Sequence, residues 1–233
     1  MLKNPWVFIF LIPCCINLLL AGMYFSGIPI LQHIVVPDMP FVKQQREFGL
    51  LENLQNLYLI SMALMGAWAI KIKPHIWEKA AAALYMVFAA FVFLEEIDYG
   101  LHWIEFLSDV PKDAAIPTEG RNWHNEGERT SNMKDLVTLS CVLLFVIAPF
   151  ALKNRTQPLI RYLLPVRQYA VAFLGIVLIS RLAHYLRDMG LGADGIKQNI
   201  GEFRELGMYY LYMVWSYTVI FRRNYNDTPQ PTP

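Results

Sequence analysis

Charge is scarce in this chain: Asp, Glu, Lys and Arg make up 17% of its 233 residues, against about 25% in an ordinary soluble domain. Cysteine is scarcer. Cys14, Cys15 and Cys141 all lie inside apolar runs and form no CxxC pair, so neither a thiolate zinc site nor a disulfide framework is predicted. They read as small packing residues. HExxH, the commonest zinc-protease signature on a helix, is missing, and so are a phosphate-cradling glycine loop and a dense basic cluster. Nucleotide hydrolysis and nucleic-acid binding therefore find no support. No internal repeat is visible, which counts against a transporter built from inverted halves.

Apolar residues are abundant: 55% of the chain is hydrophobic and 14% aromatic. They fall in blocks without a polar face, such as VAFLGIVLIS and VLLFVIAPFALK. A bilayer-crossing helix needs about 20 mostly apolar residues. Six blocks approach this, at 6–30, 51–70, 79–94, 136–152, 166–183 and 206–221. The pattern predicts an all-α fold, an integral membrane helical bundle of about six transmembrane helices, forming one domain over residues 1–225. A greasy-cored soluble helical protein is the alternative. Lys3 ahead of the first block imitates a secretory signal, but the apolar run is too long and Ala21-Gly22 is a poor cleavage sequence, so a membrane helix is expected. Residues 226–233, NDTPQPTP, read as a disordered tail.

Lys and Arg set the orientation. Six spans place Lys3, Lys71, Lys73, Lys79, Lys153, Arg155, Arg161, Arg167, Arg222 and Arg223 together in short segments. The other ten cations are spread over longer stretches of the opposite side. Both termini are thus expected in the cytoplasm, in a bacterial inner membrane. On this topology 17 of the 19 acidic residues lie at or near the outer face, all but Glu78 and Asp227. The polar extracytoplasmic loop 95–135, between the third and fourth helices, alone holds ten acids.

That loop opens with LEEIDYGLHWIEF. Glu95 and Glu96 follow directly on an apolar helix, where their charge opposes the negative end of the helix dipole. If the helix continued, Glu95, Asp98, His102 and Glu105 would share one broad face; Gly100 favours a kink or a stop. The placement asks for a compensating cation or for plain solvation. A divalent metal ion is one candidate, held in a mixed oxygen and nitrogen site by Glu96, His102, His124 and Glu126. Arg181 or Arg187, from the outer end of the fifth helix, is another. His124 and Glu126 have the H-x-E spacing of zinc deaminases, but the cysteine pair is missing. The paired Glu-x-x-His of di-iron bundles is missing too.

Three further groups have a bland reading beside the functional one. Glu202 and Glu205, and likewise Glu47 and Glu52, sit where a helix starts, and the dipole alone would favour them there. Arg181, His184 and Arg187 suit a helix C-terminus and the headgroup layer, though they would also hold an anionic substrate group. Ser180, His184 and Asp188, one helical turn apart, resemble a fragment of the alkaline-ceramidase-like membrane hydrolases, but the histidine pair expected of that group is absent.

LEEIDYG, with Asn122, Glu126 and Asn132 after it, resembles a signature of bacterial multispan membrane proteins. These carry an EEI-x-x-G motif followed by an Asn/Glu/His-rich loop. The match spans some 45 residues and has Asp98-Tyr99 where Ser-Trp is expected. It attaches no activity; it implies that Glu95, Glu96, Gly100 and the 122–132 loop belong to one site.

The expected function is a membrane enzyme acting on a lipid or lipid-linked group at the outer face. Glu95, Glu96, Asp98 and Glu126 would exchange protons, Glu96, His102 and His124 would bind a metal, and Arg181, His184, Arg187, Glu202 and Glu205 would contact substrate. The alternative is a non-catalytic subunit whose charges pair with a partner membrane protein. Transport comes third, since the helix centres offer only Asn17, Ser61, Thr138, Ser140 and Ser216.

Overall fold

Two prolines shape the helices that carry them. Pro13 and Pro149 lack the N–H that a regular helix needs and crowd the preceding turn. Each is preceded by a π-helical segment, Trp6–Leu11 and Val142–Ile147, ending two residues before the proline. The wider turn absorbs the missing bond without ending the helix.

The computed structural model describes residues 4–37, 48–108, 129–155, 157–192 and 200–221, and all the regular elements in them are helical. Helix α1 spans Trp6–Tyr24, with its π segment first. Short α2 (Pro29–Val35) follows a bend at Gly27, whose φ is +71°. Next come α3 (Leu50–Ile72), α4 (Ile76–Glu96), a 3-10 turn at Asp98–Gly100 and α5 (Leu101–Leu107). Helix α6 (Arg129–Cys141) continues through the second π segment into α7 (Ala148–Ala151). Helices α8 (Pro158–Leu163), α9 (Gln168–Asp188) and α10 (Glu202–Ile220) complete the order.

Helix α10 is the hub. Gln55 and Lys73 of α3 meet its two ends, at Glu202 and Val219, so α3 and α10 run in the same direction. Glu96 and Tyr85 of α4 meet Tyr209 and Ser216, so α4 runs against it. Helix α1 also opposes α10, with Tyr24 beside Phe203 and the Phe8 carbonyl on the Tyr210 hydroxyl. Ser140 and Phe145 reach Tyr212 and Trp215, so the α6–α7 rod is parallel to α10. Close approach comes from small residues, which let helix backbones pack tightly. A Cβ at Gly207 would lie 2.6 Å from Ile176 of α9, and one at Gly66 2.8 Å from Met86 of α4.

Among the described residues three helices are long and apolar enough to cross a membrane: Trp6–Tyr24, Ile76–Glu96 and Gln168–Asp188. The stretch Asp135–Ala151 is apolar but shorter. The six apolar blocks do correspond to six long helical rods, yet only three of these meet both criteria. The reason is positional. Helix α10 buries eleven residues against its neighbours, so it carries tyrosines and serines that bond to protein. Helix α4 turns Leu84, Val87 and Phe88 outward, so it has to be greasy.

Several boundaries differ from the expected ones. The first helix stops at Tyr24, not near 30, because Gly27 bends the chain and Pro29 begins α2. Helix α4 runs to Glu96, α9 to Asp188, and α10 starts at Glu202, so carboxylates and cations expected beside helices lie within them.

Candidate functional site

Reversal of direction between α3 and α4 brings the end of α4 level with the start of α3, and α10 begins at the same level. This end of the bundle gathers buried carboxylates: Glu52 on α3, Glu95 on α4, Asp98 in the following turn, and Glu202 and Glu205 on α10. Glu96 stands beside them, partly buried.

The turn after α4 is unusual. Asp98, Tyr99 and Gly100 all have positive φ, at 49°, 53° and 83°. Glycine adopts this conformation freely, whereas each of the other two is disfavoured by roughly 1–2 kcal/mol. Two bonds hold the turn. The Gly100 N–H donates to the Ile97 carbonyl at 2.7 Å, and the Tyr99 hydroxyl donates to the Glu95 carboxylate in a very short contact. Glu95 is 3% exposed while Tyr99 is 50% exposed, so the phenol reaches inward from the rim. That bond, together with Glu95's charge, raises the Tyr99 phenol above its ordinary pKa.

The turn also ends the helix, so Glu95, Asp98, His102 and Glu105 do not form one continuous helical stripe. Left-handed backbone at three successive residues cannot extend an α-helix, and α5 starts afresh at Leu101.

Glu96 accepts a 2.6 Å hydrogen bond from the Tyr209 hydroxyl of α10. The charges of Glu96, Glu205 and Glu202 all bear on that hydroxyl. Residues 202, 205 and 209 fall at i, i+3 and i+7 and share a helix face. Gln55, fully buried on α3, donates its amide to both the Glu202 carboxylate and the Glu202 carbonyl, at 3.2 Å each. Glu52 lies one turn before Gln55. The arrangement thus unites Glu95, Glu96, Asp98, Glu202 and Glu205 at one end of the bundle, and adds Tyr99, Tyr209, Gln55 and Glu52.

Arg181, His184 and Arg187 stand apart from it. The buried face of α9 is carried by Ile176, Ile179, Ser180 and Ala183, which turns Arg181 outward. His184 Nδ1 contacts the Ser180 carbonyl at 2.8 Å. Arg187 pairs with its neighbour Asp188 at 2.7 Å. The expectation that Arg181 or Arg187 compensates Glu95 and Glu96 is therefore not met in this arrangement. Arg204, in the first turn of α10, is the cation at this level that the sequence reading passed over. It is half-buried, its Nε is buried without an acceptor, and its charge bears on the Cys141 thiol of α6.

His124 and Glu126 lie outside the described residues, as do the side chains of His102 and Glu105. Among the described residues no three His, Cys, Asp or Glu side chains converge as a metal site. The described part of the proposed metal set reduces to Glu96.

Deeper along α10 the hydroxyls form short chains that end on backbone. Ser140 donates to the Val137 carbonyl, so Tyr212 donates to Ser140, at 2.6 Å. Ser216 donates to the Tyr212 carbonyl, so Tyr85 donates to Ser216. At the far end Lys73 donates to Tyr162 at 2.6 Å, and Tyr162 donates to the Val219 carbonyl. Burial there lowers the Lys73 pKa, and the charge of Glu78 opposes the shift.

No family model matches the chain, and neither a curated protein nor a solved structure does. The functional reading rests on this geometry.

Proposed function

We propose that this chain is a bacterial inner-membrane protein that crosses the bilayer six times with both termini in the cytoplasm. In this reading it is an enzyme that exchanges protons with a lipid or lipid-linked substrate at its acidic, extracytoplasmic end. The alternating directions of α1, α3, α4 and the α6–α7 rod, with α10 parallel to the last of these, support the topology. So do the exposed aromatic residues: Trp6, Trp68 and Trp77 mark one end, and Tyr99, Trp103 and Tyr185 the other. Trp and Tyr concentrate at both membrane interfaces.

The observation that carries the enzymatic reading is the pairing of two successive carboxylates, Glu95 and Glu96, with phenols from two different elements. Carboxylates held at a fixed position near the surface suit general acid–base work. The phenols fix the carboxylates in position, and the strained turn at Asp98 and Tyr99 sets the rim. A substrate headgroup descending from the outer leaflet would meet Glu95 and Glu96 with Glu202 and Glu205 behind them. His102, His124 and Glu126 would complete the site, as proton carriers or, with Glu96, as ligands of a divalent ion. Transport is less well supported, because the hydroxyl protons along α10 end on backbone carbonyls and offer no onward acceptor.

The test is turnover by the full-length protein in nanodiscs, with bacterial phospholipids and lipid-linked phosphates as substrates and products read by mass spectrometry. Glu96→Gln and Glu95→Gln are each expected to lower the rate by about 10²–10⁴-fold, the usual contribution of general acid–base catalysis, with assembly unchanged. Full activity in both variants would sink the reading. Loss of a co-purifying membrane protein instead of turnover would make the chain a subunit of a complex.

A further inference from the structure

A guanidinium stays protonated in proteins, and a charge withdrawn from water is normally paired. Arg204 meets this only in part, because its Nε is buried without an acceptor. It projects from the first turn of α10, the most enclosed helix of the bundle, and is half-buried. Its Nε is sealed from solvent with no acceptor, and no ion pair to it occurs among the described residues. Glu202 and Glu205 flank it in sequence but serve other neighbours: Glu202 binds Gln55, and both act on Tyr209. The charge of Arg204 bears on Cys141 of α6, the helix whose Ser140 meets Tyr212 at the seam with α10. Leu136 and Leu139 of α6 and Leu143 of the π segment after it are each more than half exposed, so the outward flank of that rod is apolar and suited to acyl chains.

We propose that Arg204 is the anion-binding residue of this end of the bundle, and that its ligand is a phosphate group. A planar guanidinium donates two parallel hydrogen bonds to phosphate. The apolar outward flank of the α6 rod would admit that phosphate on a lipid anchor. This deepens the acid–base reading and rests on it: Arg204 would hold the anionic part of the substrate that Glu95 and Glu96 process. Arg204 thus takes the role first expected of Arg181 and Arg187.

The experiment uses the full-length protein purified in lipid-free detergent, with phosphatidic acid and inorganic phosphate as probes. Binding is read by native mass spectrometry and by the unfolding midpoint. The wild type is expected to bind one phosphatidic acid and to unfold at a higher temperature when it does. Arg204→Gln is expected to bind it at least about tenfold more weakly, the scale of losing charge-assisted hydrogen bonds. Without lipid, the same variant is expected to unfold at a higher temperature than the wild type, because a buried donor without an acceptor has been removed. Arg204→Lys, which keeps the charge and loses the fork, should retain the fold with intermediate binding, and it carries the test if the Gln variant does not fold. Displacement of phosphatidic acid by an equal concentration of inorganic phosphate would identify soluble phosphate as the source; failure to displace would identify the lipid. The proposal is overturned if the wild type binds neither probe. It is overturned equally if Arg204→Gln binds as the wild type does and unfolds earlier, as a structural cation would. If Glu96→Gln abolishes turnover while Arg204→Gln binds normally, only this proposal fails. If Arg204→Gln loses phosphate while Glu96→Gln turns over normally, only the acid–base reading fails.

Discussion

Tyr209 donates a 2.6 Å hydrogen bond to Glu96 across 113 residues of sequence, tying the start of α10 to the end of α4. A hydrogen bond to a charged group contributes about 1.5–3 kcal/mol. Tyr209→Phe is therefore expected to lower stability by about 2 kcal/mol in chemical denaturation. In a Glu96→Gln background the same change should cost less, about 1 kcal/mol, because the acceptor is then neutral. Equal losses in both backgrounds would mean that the two groups are not coupled.

The Tyr99 phenol titrates above the ordinary tyrosine value of 10, chiefly because it donates to Glu95. An acid whose folded pKa is raised binds more protons in the folded state, so its contribution is complete below the unfolded pKa and fades as pH rises through the folded one. Tyr99→Phe should therefore flatten the loss of stability above pH 10 while leaving the neutral-pH slope unchanged. Melting curves across the alkaline range, run beside phenolate absorbance, make the comparison. An identical alkaline slope in the variant would remove the Tyr99–Glu95 bond from the account.

At Gly207 the limit is space. Gly207→Ala would place a Cβ 2.6 Å from Ile176, and overpacking of this kind costs about 1–3 kcal/mol. Ile176→Ala alone opens a cavity, at about 2–5 kcal/mol. The double variant should be more stable than the sum of the two losses implies, since each change relieves the other. Strict additivity in thermal unfolding would place α9 and α10 farther apart than described.

Topology is open to chemical labelling in a cysteine-free background. Ser108 and Asn154 are both exposed, at opposite ends of the bundle. A membrane-impermeant maleimide added to intact cells should label Ser108→Cys and spare Asn154→Cys. The reverse pattern would invert the protein in the membrane.

Elemental analysis decides whether a metal joins the site. A near-stoichiometric divalent ion that disappears in Glu96→Ala/His102→Ala would bring His124 and Glu126 into the same centre as Glu96. Protein purified without chelators that holds no metal in either form would leave Glu95 and Glu96 as plain acid–base groups.

The helical class and the six rods were legible because long apolar blocks without a polar face stand out directly in the composition. The gathering of acids at one end was legible too, since helices of similar length that reverse direction must level their ends. Which way a side chain points around its helix was not. Arg181 and Glu96 look like neighbours when only helix ends are known, but Ser180 and Ala183 occupy the inner face of α9 and turn Arg181 away. Tyr209 was within reach of the sequence, four residues beyond Glu205 on the same face. It was missed because a tyrosine in an apolar block reads as packing. The stop after α4 depended on Asp98 and Tyr99 taking up a backbone conformation that neither residue type favours, and no local pattern announces that.

The fastening of α10 has a mechanical consequence. Tyr209, Tyr212, Ser216 and the Val219 carbonyl tie it to three other elements at four successive levels. Sliding by one helical turn, or rotating in place, would break all four ties at once. Helix α10 therefore serves as a fixed mast, to which α4, α6 and α8 are each rigged.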